Sequence, residues 1–212
     1  MPNIAIIDGG TSYHHCALYG ERYRRFFSEI IYVRDLPAAC LDQFDAVIIP
    51  DRTHPGLLRA ARTRIAAYLA QGGTVVALGE TQAHTWLPGV VWSHRPTNFW
   101  WWKTPGSNLG LYAAAPEHAL FQHLPIAHAT WHYHGVFTVP PGAQALIGVE
   151  NDGAVLYEDT VTTAGRMIVS SLDPFYHHGS YFMPVTEKFL DGFLGWLHQD
   201  CGVPAKQQER DS

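Results

Sequence analysis

The segment Asn3-Ile-Ala-Ile-Ile-Asp8 constrains this chain most. It is too short for a stable helix and rich in β-branched residues. It lacks the alternation of a strand with one wet face, and Gly9-Gly10 ends it. Such a run predicts a strand buried on both faces, the kind found in parallel sheets, where crossover helices cover each side. Similar runs recur at 29–34, 45–50, 74–79 and 166–172. Between the third and fourth, the stretch from Pro55 to Gln71 places Leu58, Ala61, Ile65, Tyr68 and Leu69 at helical spacing, with Arg59, Arg62 and Arg64 mostly off that stripe. Pro55 suits the first turn and Gly72-Gly73 the exit, so a strand–helix–strand unit with a right-handed crossover is expected. A second amphipathic pattern, Thr186 to His198, carries Phe189, Phe193, Trp196 and Leu197 on one face.

After Gly79 the pattern changes. Residues 80–128 hold no clean helical period and are dense in Trp, Pro, Gly and His. Short β-rich pieces follow from Thr130 to Val139 and from Gln144 to Tyr157, and Asp152-Gly153 between alternating strands is a hairpin signal. The predicted fold class is therefore α/β: a flavodoxin-like three-layer sandwich with a mainly parallel central sheet and an antiparallel β excursion over about 84–160. One domain is expected over 1–201, followed by a polar tail, 202–212.

Composition excludes several function classes. With 47% hydrophobic and 16% charged residues the chain is globular, not disordered. Its 14 Lys and Arg against 19 Asp and Glu leave a net charge of -5, which offers no footprint for nucleic acid or an anionic membrane. The start, Met1-Pro2-Asn3-Ile4, has no basic leader region, and no apolar run is long enough to span a bilayer, so a soluble cytoplasmic protein is expected. Cys16, Cys40 and Cys201 are widely spaced and form neither a disulfide framework nor a cysteine zinc motif.

In an open α/β sheet, ligands bind beyond the carboxyl ends of the parallel strands. The residues there include His14 and His15, Arg52 and His54, Glu80 and His84, and Asp173 to His178, so imidazoles gather around one crevice. His132 and His134, two apart in an expected strand, share a face. A lone histidine is usually a solvated or hydrogen-bonded side chain. Convergence is what makes His14, His15, His54, His132, His134, His177 and His178, with Arg52 among them, candidates for binding a small-molecule ligand. His14, His15, His177 and His178 are also candidates to hold a divalent metal, the one cofactor this composition suggests. No H-E-x-x-H spacing is present. Phe99-Trp100-Trp101-Trp102 cannot all face one core; Trp101 is a candidate stacking surface for a sugar ring, against packing in the core or in a homo-oligomer interface.

Four segments together, Asp45-Ala-Val-Ile-Ile-Pro50, Tyr68-Leu-Ala-Gln-Gly-Gly73, Thr74-Val-Val-Ala-Leu-Gly79 and Gly165-Arg-Met-Ile-Val-Ser-Ser-Leu-Asp-Pro174, resemble the class I glutamine amidotransferase-like superfamily. The nearest branch is the trehalose-utilisation, ThuA-like one, and the likeness covers most of residues 3–198 in element order. The resemblance implies a nucleophile elbow, G-x-C-x-G, after the fourth strand; here it reads Gly79-Glu80-Thr81-Gln82-Ala83, with Thr81 in place of the cysteine. Asp173 stands near the position of the family's histidine, and Asp51-Arg52-Thr53 replaces the glycine-rich oxyanion turn. The resemblance thus implies an amidotransferase-like domain without glutaminase activity, using the same crevice for a carbohydrate-related ligand. Glu80, Thr81 and Asp173 are the candidates for any catalysis. Two further readings stand beside it: a divalent-metal-dependent hydrolase or isomerase, and a non-catalytic scaffold subunit. Gly79 is expected to take a backbone conformation that residues with a Cβ avoid.

Overall fold

The computed structural model describes residues 1–202, so the expected tail lies, Gly202 apart, outside the described residues. Five strands run parallel: β1 (Ile4–Asp8), β2 (Glu29–Tyr32), β3 (Ala46–Ile49), β4 (Thr74–Ala77) and β10 (Arg166–Ser170), in the spatial order β2-β1-β3-β4-β10. The excursion supplies β5 (Val91–His94), β6 (Leu111–Ala113), β7 (Gly135–Thr138), β8 (Gln144–Val149) and β9 (Ala154–Asp159). It joins the same sheet through β9, which lies antiparallel to both β10 and β8. β6 continues beyond β8, while β7 meets β9 at Phe137 and Ala154 and carries β5 on its other side. The result is a mixed ten-stranded sheet, parallel in one part and antiparallel in the excursion.

Alternation along the buried strands builds two cores, one on each face. Ile4, Ile6, Ala46, Ile48, Val76 and Ile168 face helices α1 (Ser12–Tyr19), α5 (Pro174–Gly179) and α6 (Val185–Cys201). Ala5, Ile7, Val47, Ile49, Val75 and Val169 face α3 (Pro55–Ala70), which packs Leu58, Ala61, Ile65, Tyr68 and Leu69 against them. This is the three-layer α/β architecture that the strand runs predict. Two one-turn helices, α2 (Glu21–Arg24) and α4 (Leu120–His123), complete the set. No helix among the described residues is long and apolar enough to cross a membrane.

The strand expected from Thr130 to Val139 is shorter than its sequence suggests. β7 begins only at Gly135, and Thr130 to His134 run irregularly. Trp131 is fully buried edge-to-face against Phe189 of α6, and His132 and His134 are buried as well. Trp131 packs in the α6-side core while His132 turns to His177 at the strand ends, so tertiary packing prevails over β propensity here.

Candidate functional site

The turns after β3, β4 and β10 meet around Gly79. Its φ is +59°, and a Cβ there would collide with that of Asp51 and lie 3.0 Å from that of Asp173. Glycine is needed twice over, for the left-handed backbone and for the space, as the elbow reading requires. Thr81 is not among the residues with positive φ. Gln82 is, at +52°, so the strained position falls one residue beyond the nucleophile position of the resembling motif. Thr81 is buried with its hydroxyl unpartnered.

Asp51 positions the next element. Its carboxylate accepts the backbone N–H groups of Phe175 (2.9 Å) and Tyr176 (2.7 Å), serving the first turn of α5 from a loop 124 residues away in sequence. Burial pushes the Asp51 carboxyl well above the ordinary range, and the nearby Asp173 charge adds to this. α5 also packs tightly on α1, since a side chain at Gly179 would strike the Tyr13 carbonyl. Together these contacts aim His177 at the strand ends.

There the side chains converge. His177 Nε2 stands 3.1 Å from Asp173 Oδ1, one helical turn back, close enough to pair but off the line of a hydrogen bond. The His132 ring meets that of His177 edge-on at 5.0 Å, and His134 Nε2 lies 3.8 Å from Asp173 Oδ2. Arg52 donates to Asp173 Oδ2 at 3.2 Å, approaches Glu80 at 3.8 Å and places its guanidinium carbon over the Tyr176 ring, 3.7 Å from the centroid. The Arg52 backbone has φ +60°, a conformation that non-glycine residues rarely take and that accumulates at functional sites. Burial works to raise the Asp173 carboxyl, but His177, His134 and Arg52 outweigh it and hold it below the usual range. Burial drives the His132 imidazole down to about 4, so it is neutral at physiological pH. Phe99 covers both His132 (5.1 Å) and His134 (6.0 Å).

Beside this group opens a cleft of about 460 Å³, lined by Glu80, Gln82, His84, His134, Ser171 and the aromatic rings of Trp92 and Phe137. Trp92 and His84 lie parallel to within 6° at 5.9 Å, presenting flat faces, and the Ser171 hydroxyl is buried without a partner. A site with flat apolar faces and a few convergent polar groups suits a small polar molecule with hydrogen-bonding edges.

The structure thus brings together Arg52, Glu80, His132, His134, Asp173 and His177 of the residues singled out in the sequence. It places the others elsewhere. His14 is buried beside the crevice, but both its ring nitrogens are engaged: Nδ1 accepts from Gly9 N–H (3.0 Å) and Nε2 faces the Asp51 carbonyl (2.8 Å). His15, next to it, is exposed and stacks on Tyr19. His54 is exposed and accepts from Gly56 N–H at the start of α3. His178 points to the α6 side, edge-on to Tyr23 and 3.4 Å from Glu187. Trp101 is half-buried against the α6-side core and is not among the residues that line the cleft. Sequence reasoning missed Trp92, Gln82 and Ser171, which come from stretches without a diagnostic period. It also missed the role of Asp51, whose place just after a proline-terminated buried strand was the available signal.

No family model matches the sequence, and no curated protein matches it either. Solved structures do resemble it. A GMP synthase subunit-like protein of Thermoplasma acidophilum superimposes with a TM-score of 0.57 at 12% identity, over 100% of this chain and 98% of that one. A ThuA-like protein of Bacteroides uniformis does so with a TM-score of 0.54 at 12% identity, over 92% of this chain and 90% of that one. At such identity the likeness is one of fold alone: the chain shares its α/β architecture with these two proteins.

Proposed function

We propose that this chain is an amidotransferase-like domain without glutaminase activity that binds a small, hydroxyl-bearing, carbohydrate-related ligand in the crevice at the strand ends. The observation that carries this reading is the cleft itself: the flat faces of Trp92 and His84 stand beside Glu80, Gln82, His134 and the unpartnered Ser171 hydroxyl. Sugar rings are recognised this way, by stacking on an aromatic face and by planar polar groups that read their hydroxyls. Loss of glutaminase chemistry is supported by the turn after β4, where Thr81 stands in place of the cysteine of the resembling motif and its hydroxyl has no hydrogen-bond partner to activate it. None of the cysteines is at that turn: Cys16 lies in α1, Cys40 is exposed before β3, and Cys201 ends α6, where burial pushes its thiol up to about 12, the opposite of an activated nucleophile.

Two measurements test this. Purified protein incubated with glutamine is expected to release no ammonia, and Thr81→Cys alone is expected to add none, because the base and oxyanion donors are absent too; ammonia release by the unmodified protein would overturn the reading. Titration with a panel of mono- and disaccharides, followed by protein NMR, is expected to find a binder whose affinity falls about tenfold in Trp92→Ala. Trp100→Ala, on the exposed loop, should leave it unchanged. Absence of binding across the panel would remove the carbohydrate assignment.

A further inference from the structure

The crevice holds a second constellation that sugar binding does not require. We infer that His132, Asp173 and His177 form a site for a divalent first-row transition cation, with zinc as the natural probe. One donor atom from each lies within 4.8 Å of the other two, and all three residues are buried. Bonds of about 2.0–2.2 Å to such an ion place neighbouring donors roughly 3.4 Å apart, so side-chain rotations of about an ångström close the site.

Two further observations point to a ligand rather than to a structural cluster. Asp173 Oδ1 and both ring nitrogens of His177 are buried without an aligned hydrogen-bond partner, although protein interiors seldom leave such groups unpaired. Arg52 occupies Asp173 Oδ2, which fixes the carboxylate plane and leaves Oδ1 directed at the imidazoles. Two imidazoles and one carboxylate, with no thiolate, form a donor set suited to zinc and its first-row neighbours. Three protein ligands also leave a position free for a solvent or ligand oxygen, and the cleft that begins at Glu80 and His134 adjoins it. The residues differ from the pairs singled out in the sequence: His14 has no free nitrogen, while His15 and His178 face away from His177.

The test uses untagged full-length protein, stripped with a chelator and dialysed against zinc chloride, with metal measured per chain. About one zinc is expected, held at least tenfold more weakly in His132→Ala and in His177→Ala, since changes even in the outer shell of a metal site cost about that much. His15→Ala and His54→Ala should retain it. No stoichiometric zinc in the unmodified protein, or undiminished binding in folded His132→Ala and His177→Ala variants, would overturn the inference. If those variants fail to fold by circular dichroism, X-ray absorption of the zinc-loaded unmodified protein decides. Two imidazoles and an oxygen at about 2.0–2.2 Å are expected, whereas a thiolate shell or fewer than two imidazoles would refute the site.

Discussion

His14 is an imidazole committed wholly to the fold. With Nδ1 accepting from Gly9 N–H and Nε2 directed at the Asp51 carbonyl, only the neutral form that carries its proton on Nε2 satisfies both neighbours. Burial, the largest influence, pulls its pKa below that of an exposed histidine, against the opposing Asp51 carbonyl and Asp8 charge. An unfolded chain therefore takes up this proton more readily than the folded one in the window that starts near pH 6.5 and extends down to the folded value. The contribution of His14 to stability is complete above that window and is lost as pH falls through it. Denaturant midpoints measured from pH 7.5 down to pH 5 should decline more steeply for the unmodified protein than for His14→Gln. Equal slopes would refute the assignment. Its neighbour His15 escapes the same burial because consecutive helical residues point about 100° apart, and the same rotation separates His177 from His178.

At the scale of elements, α5 has six residues and cannot hold its place by helix propensity. Its position comes from the Asp51 carboxylate at its first turn and from its close packing on α1. Asp51→Ala would strand the buried Phe175 N–H and the half-buried Tyr176 N–H, at a cost of about 1–3 kcal/mol. A lowered denaturation midpoint is the expected result, with Asp51→Asn intermediate because its amide offers only one oxygen. An unchanged midpoint for Asp51→Ala would show that α5 is held by packing alone. Zinc affinity is expected to fall in the same variant, because α5 carries His177 into the crevice.

For the whole molecule, the parallel strands and the excursion are one sheet with shared cores. β9 pairs with β10 along Met167 to Ser170, and the α6-side core contains Trp131, Leu146 and Val155 from the excursion beside Ile4 and Ile48 from the parallel strands. A half-buried ionic group adds a second tie: Arg166 of β10 pairs with Glu158 of β9 and with Asp200 of α6, and His118 approaches Glu158 at 3.3 Å. Neither half retains a closed core without the other, so unfolding is expected to be a single cooperative transition. Denaturation curves followed by far-ultraviolet circular dichroism and by tryptophan fluorescence should coincide. A separate early transition in fluorescence, where the excursion's Trp131 and Trp92 report, would show that the excursion opens on its own.

The parallel strands, α3 and α6 were legible in the amino-acid sequence because their signals are local: β-branched runs ended by glycine or proline, and apolar residues at helical spacing. The address of the site followed from the same strands, whereas the pairing of Asp173 with His177 came only with the short helix α5 that brings them within one turn. What only the tertiary structure decided was convergence. His132 meets His177 from an irregular stretch whose Trp131 packs on Phe189 in the α6-side core, although the composition there favours a strand. Trp92 reaches the cleft because β5 pairs with β7 at the far side of the sheet. Periodicity reports which way a side chain points along its own segment; it carries no information about which distant segment it meets, and packing settles that.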